Sequence, residues 1–135
     1  MNDLVRMLRH LVVVVVLTTT GQVRAGDVYL IAYAALDLTP AEVKEIFLGE
    51  VQFSGTTRLL PVDNAGAHSD FLARVLKMPG VRYSASWTKK AFRDGLNPPP
   101  MKATDAEVLG FVKGNPGAIG YVTTAPQGVT VIGKF

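Results

Sequence analysis

The sequence predicts a small α/β domain with helices on both sides of a mixed, mostly parallel sheet, and three observations carry that prediction. Short, nearly continuous apolar runs, suited to strands covered on both faces, alternate with segments of helical periodicity. Two of the helical segments open on a threonine-led cap signal, Thr39-Pro40-Ala41-Glu42 and Thr104-Asp105-Ala106-Glu107. Glycine and proline punctuate the chain between these blocks, and no internal repeat or low-complexity tract interrupts them. A strand, helix, strand order of this kind implies a right-handed crossover and a parallel strand pair.

The chain begins with a segment set apart from that domain. Arg6, Arg9 and His10 precede the run Leu11-Val12-Val13-Val14-Val15-Val16-Leu17, and a polar stretch ends at Val23-Arg24-Ala25. A basic start, an apolar run of about ten residues and a small-x-small cleavage site describe a secretory signal peptide over residues 1–25. The run is well short of the roughly 20 residues that span a bilayer. Cleavage before Gly26 leaves residues 26–135 as one domain, with 11 basic and 10 acidic residues and a net charge of +1. The basic balance of the whole chain therefore resides in the leader, and the domain lacks the basic stripe of a nucleic-acid binder. The chain contains no cysteine, which excludes disulfides, thiolate metal sites and cysteine lipidation. Export without cysteine suits the periplasm, with no membrane insertion after cleavage.

Val28-Tyr29-Leu30-Ile31-Ala32-Tyr33-Ala34 reads as the first strand. In the helix that follows, Thr39 caps the start and Pro40 occupies the first turn. Val43, Ile46 and Phe47 form its inward stripe and Gly49 ends it. Val51 to Thr57 is a short hairpin around Gly55, and Arg58-Leu59-Leu60-Pro61-Val62 is a central strand. Phe71, Leu72, Val75 and Leu76 share one face of a helix ending near Lys77. A weaker helix runs from Val81 to Phe92 with Tyr83, Trp87 and Ala91 at fourfold spacing, and residues 95–100 form a loop closed by three prolines. Thr104 opens a helix stopped by Gly114. Gly117 to Val122 and Gly128 to Ile132 finish the chain as two strands joined by a turn around Pro126.

The bend between the central strand and the helix at Phe71 is the candidate site. It reads Asp63-Asn64-Ala65-Gly66-Ala67-His68-Ser69-Asp70. A strand passing through a small, polar turn into a helix leaves several N–H groups aimed at one point, and the helix end adds partial positive charge there. Such a geometry receives an anion. Adjacent His68, Ser69 and Asp70 do not form a catalytic triad, because three consecutive side chains cannot align into one hydrogen-bonded line. Ser69 is expected to cap the helix, and Asp70 to pair with Arg74 one turn on. His68 is the sole histidine after the leader, so a histidine metal cluster is excluded. Trp87 and the tyrosines are expected in the core, and Lys89, Lys90 and Arg93 on a solvated helix face.

Several segments together resemble the phosphate-binding family of ABC-transporter substrate-binding proteins. They are Leu38-Thr39-Pro40 through Ile46-Phe47-Leu48-Gly49, then Phe71, Trp87 and Phe92, and finally Asn115-Pro116-Gly117-Ala118-Ile119-Gly120-Tyr121-Val122. The resemblance covers nearly all of residues 26–135 and implies one lobe of a two-lobed type II periplasmic-binding fold. It implies a non-catalytic transport component without cofactor or metal, whose ligand is phosphate or another small oxyanion held at the same bend. The ligand-binding residues so implied are Gly66, His68 and Ser69, with Asn64 and Thr39 as neighbours. The chain departs from the family pattern in two ways. It offers one lobe where the family closes two, and its bend has alanines where hydroxyl donors are expected and no arginine. A lone lobe calls for self-association or an envelope protein partner. The alternative reading is therefore a periplasmic interaction or sensor-accessory module that keeps the lobe's shape without its ligand.

Overall fold

The computed structural model describes residues 26–135; the proposed signal peptide, residues 1–25, lies outside them. A four-stranded sheet in the order β4-β7-β1-β8 forms the centre. Its strands are β1 (Tyr29–Ala32), β4 (Leu60–Pro61), β7 (Ala118–Val122) and β8 (Thr130–Lys134). Two short ribbons flank it: β2 (Phe53–Ser54) with β3 (Thr57–Arg58), and β5 (Asp63–Asn64) with β6 (Met101–Lys102). The helices are α1 (Pro40–Phe47), α2 (His68–Phe71), α3 (Gly80–Asp94) and α4 (Asp105–Gly114). A π-helical turn, Leu72–Leu76, extends α2.

Alternation along the strands builds two cores. Leu30, Ala32, Ile119 and Tyr121 face α1, α2 and α3, where they meet Phe47, Phe71, Leu76, Tyr83 and Trp87. Ile31, Ala118 and Val122 point the other way and meet Val108 and Val112 of α4. Helices thus cover both faces, as the apolar runs require. All five residues of β7 are buried, which explains its central place. Gly120 is needed there, since a Cβ at that position would lie 2.7 Å from a Val108 methyl.

The two cap signals behave as written in the sequence. The Thr39 and Thr104 hydroxyls each accept the N–H three residues on, at 3.2 Å. Gly49 turns the chain at φ 73° immediately after α1, and Trp87 packs so closely over it that a side chain there would collide with the indole. Trp87 is buried and donates its indole N–H to the Phe47 carbonyl, at 3.1 Å.

Four expectations need correction. The first strand does not make a parallel pair with the central strand: β1 lies between β7 and β8 and is antiparallel to both. Of the three pairings in this sheet only β4–β7 is parallel, joined outside it by β5–β6. The cause is non-local, because β7, entering from far along the chain, takes the doubly covered position beside β1. Lys90, expected on a solvated helix face, is instead buried and donates to Glu50 Oε1 at 3.0 Å. The central strand, expected over Arg58–Val62, is also not one continuous run, since Arg58 pairs with Phe53 in the β2–β3 ribbon and only Leu60–Pro61 pairs with β7. Leu60 and Val62 donate to carbonyls of Gly117 and Ile119, and Asp63 then donates to Pro100 at 2.9 Å, so the chain changes partner at Val62–Asp63. Finally, the helix after the bend starts at His68, so Ser69 lies inside its first turn and is not its cap.

Candidate functional site

The bend begins where the chain leaves β7 for β6. That switch sets Asp63 and Asn64 side by side, both buried, in a ribbon two residues wide. Both polar atoms of the Asn64 side chain are engaged. Its Nδ2 donates to Asp105 Oδ1 at 2.7 Å and to the Tyr121 carbonyl at 3.0 Å, and its Oδ1 accepts from Gly66 N–H at 3.0 Å. Its backbone carbonyl accepts from Ala67 N–H. Asn64 therefore shapes the bend from beneath. Asp105, at the start of α4, anchors the same corner by accepting the Thr123 N–H and hydroxyl at 2.9 and 2.7 Å. Partial burial pushes its carboxyl up, but the Thr123 and Asn64 donors outweigh that and hold it below the ordinary carboxylate range.

Beside this scaffold lies a buried polar cluster. The hydroxyls of Tyr83 and Tyr121 both donate to the Asp63 carboxyl, each at 2.9 Å. His68 Nδ1 sits 3.0 Å from the Tyr121 hydroxyl and 3.7 Å from Asp63 Oδ1. The His68 ring meets the Tyr83 ring edge-on, and Tyr121 stacks on Phe71 at 3.9 Å. Burial raises the Asp63 carboxyl above its usual range, against the lowering pull of Tyr121, Tyr83 and His68. Burial and the adjacent Asp63 push both tyrosines strongly upward, so they act as neutral donors.

The surface of the bend is open. Ala65, Gly66 and Ser69 are exposed and His68 is partly so. Ala67, the residue preceding α2, supplies no side-chain oxygen to the first-turn amides, unlike Thr39 and Thr104 at α1 and α4. With the π turn, the helical run from His68 to Leu76 spans nine residues, so its start carries the partial charge of a short helix.

The structure brings Asn64, Gly66, His68 and Ser69 to one corner, but in unequal states. The Gly66 amide is taken by Asn64, and Asn64 itself is buried. Thr39 is exposed and caps α1, and no hydrogen bond ties it to the bend among the described residues. Asp70 forms the expected pair with Arg74 at 3.8 Å. Sequence reasoning placed Asp63 at the bend but missed its burial and its tyrosine donors, and it missed Tyr83, Tyr121 and Asp105 as parts of this corner. One signal was present: a buried tyrosine hydroxyl requires a partner, and Asp63 stands inside the stretch being read. Among the described residues, no group of three histidine or carboxylate side chains is placed to hold a metal ion, and no helix is long and apolar enough to cross a membrane.

Comparison with protein-family models finds no match, and comparison with curated proteins finds none. Solved structures do match. A protein from Clostridium perfringens, described as a phosphate ABC transporter substrate-binding protein and solved with bound phosphate, aligns with a TM-score of 0.57 at 16% identity, over 79% of this chain and 45% of that one. PstS from Borrelia burgdorferi aligns at 0.52 and 13% identity, over 72% of this chain and 41% of its own. The chain thus spans less than half the length of either protein, and it has a mixed α/β fold that matches a partial lobe of the periplasmic-binding-protein fold.

Proposed function

We propose that this chain is an exported, non-catalytic solute-binding-like protein that holds phosphate or a similar small oxyanion weakly at the bend between β5 and α2. The observation that carries the reading is the open first turn of α2, which lacks a side-chain cap and has His68 and Ser69 at its mouth. The similarity in fold to proteins described as phosphate-binding supports it. The donors are the first-turn amides, the Ser69 hydroxyl and His68, while Gly66 and Asn64 shape the bend.

Magnitudes set the affinity. A helix start offers an anion about 0.3–1 kcal/mol, or about 2 kcal/mol when partly buried. An ionised carboxylate about 6 Å away would oppose it by roughly 1–3 kcal/mol. Burial disfavours that charge at Asp63 and the two tyrosine donors partly neutralise it, so the two terms nearly balance and binding is weak. Titration calorimetry with phosphate should give saturable heat that weakens in Ser69→Ala; absence of heat at millimolar phosphate overturns the reading.

A second reading, an envelope interaction module, is favoured by a separate observation. Tyr83, Trp87, Ala91 and Phe92 of α3 line an apolar groove of about 320 Å³ with Pro98, and Phe92 is 90% exposed. Exposed aromatic surface of this kind marks contact sites. Sedimentation across a concentration series, with and without phosphate, separates the two readings. Phosphate-independent association that Phe92→Ser abolishes supports the second, and a monomer at all concentrations counts against it. The exported state predicts that cell fractionation recovers a product shortened at its N-terminus outside the cytoplasm.

A further inference from the structure

The proton positions in the buried cluster follow from its donors and acceptors. Tyr83 and Tyr121 each own one hydroxyl proton, and both point to Asp63. The Tyr121 hydroxyl can then only accept in its 3.0 Å contact with His68 Nδ1, so Nδ1 carries a hydrogen. In a neutral ring the proton-free nitrogen is then Nε2. We infer that His68 is held as the Nδ1–H tautomer by the Tyr121–Asp63 relay and that oxyanion capture at the bend is coupled to proton uptake at His68 Nε2. This inference rests on the oxyanion reading of the same site.

The chemistry behind the coupling is direct. An oxyanion presents only acceptors where it is fully ionised, and a neutral His68 of this tautomer presents a lone pair to it. Protonation converts Nε2 into a charged donor and adds a charge-assisted hydrogen bond. The groups facing the ring are Asp63 on β5, Tyr83 on α3 and Tyr121 on β7. On its own helix Asp70 is occupied by Arg74. Of these, Asp63 supports a positive ring, and its own protonation at acid pH also favours an anion, so the two groups act in the same direction. Without Tyr121's hydroxyl the tautomer is no longer imposed.

Sulfate is the appropriate probe because it does not titrate between pH 5.5 and 7.5, and phosphate serves as the second ligand. Long-range ¹H–¹⁵N NMR of the ligand-free protein should show His68 as the Nδ1–H tautomer at neutral pH. Sulfate should bind about tenfold more tightly at pH 5.5 than at 7.5, the equivalent of one charge-assisted hydrogen bond. Calorimetry in buffers of differing ionisation heat should report proton uptake. His68→Gln should remove most of that pH dependence, and Tyr121→Phe should mix the tautomers. An Nε2–H tautomer, or wild-type pH dependence in His68→Gln, overturns the coupling while leaving anion binding intact. Absence of both sulfate and phosphate binding, with the Nδ1–H tautomer observed, removes the oxyanion reading and the coupling with it.

Discussion

Replacing Tyr121 with phenylalanine removes one oxygen from the middle of the buried cluster and tests how the corner is held. The Tyr121 ring stacks on Phe71 and lies near Phe47, contacts a phenylalanine can keep. What is lost is the 2.9 Å donation to Asp63, a carboxylate only 4% exposed. A hydrogen bond to a charged group contributes about 1.5–3 kcal/mol. The second contact, to His68, costs less because that ring reaches solvent, so the expected loss is about 2 kcal/mol at neutral pH. Its pH dependence has a definite sign. The folded-state value of Asp63 is already raised by burial, so its contribution to stability is full below the unfolded carboxylate range near pH 4 and is lost as pH rises. The Tyr121 bond opposes that loss. Without it the folded value moves higher still, and the gap between wild type and variant widens from pH 4 toward neutrality. Trp87 is the chain's single tryptophan, so urea unfolding followed by its fluorescence reads the difference. The midpoint should fall with an unchanged slope. A gap below about 0.5 kcal/mol at pH 7, or one that narrows as pH rises, would refute the reasoning.

Other perturbations follow from the same geometry. Gly117→Ala places a Cβ 2.1 Å from the Arg58 carbonyl at a φ of 88°, so it should cost more than about 3 kcal/mol and yield little folded protein by circular dichroism. Thr104→Ala removes the side-chain cap of α4 and should cost about 1 kcal/mol in urea unfolding, with Thr104→Gly recovering most of it. Asp105 is held below the ordinary carboxylate range, so its contribution is present above the unfolded value and is lost as pH falls through the folded one. Asp105→Asn should therefore flatten the acid side of the stability profile below about pH 4. Asn64→Leu removes the side-chain donor to Asp105 Oδ1 and to the Tyr121 carbonyl and should cost roughly 2–4 kcal/mol in thermal melts.

Legibility in the sequence followed the range of each interaction. Thr39 and Thr104 announced their helices because a cap is settled within four residues, and Gly49 because a left-handed turn needs one particular residue. The three prolines at 98–100 closed a loop, yet the strand Met101–Lys102 beyond them carried no local signal, since it exists only as a partner for Asp63–Asn64. The parallel pair expected of β1 failed for the same reason: Tyr29–Ala32 and Ala118–Val122 pair across most of the domain. At the candidate site, composition and position single out Gly66, His68 and Ser69 at the bend. The burial of Asp63 and its pairing were not legible, because its donors Tyr83 and Tyr121 lie 20 and 58 residues away. Ser69 was misplaced as the cap because the helix starts one residue before it, at His68, whose ring is engaged with Tyr121.

The central claim is that the open first turn of α2 grips an oxyanion through its own amides. Backbone amide NMR during a phosphate titration tests it at the residues concerned. The account predicts saturable shifts concentrated at Gly66, His68, Ser69 and Asp70, reduced in Ser69→Ala, while the amides of β8 stay still. A bend that does not respond at millimolar phosphate, or shifts scattered evenly over the domain, would contradict it.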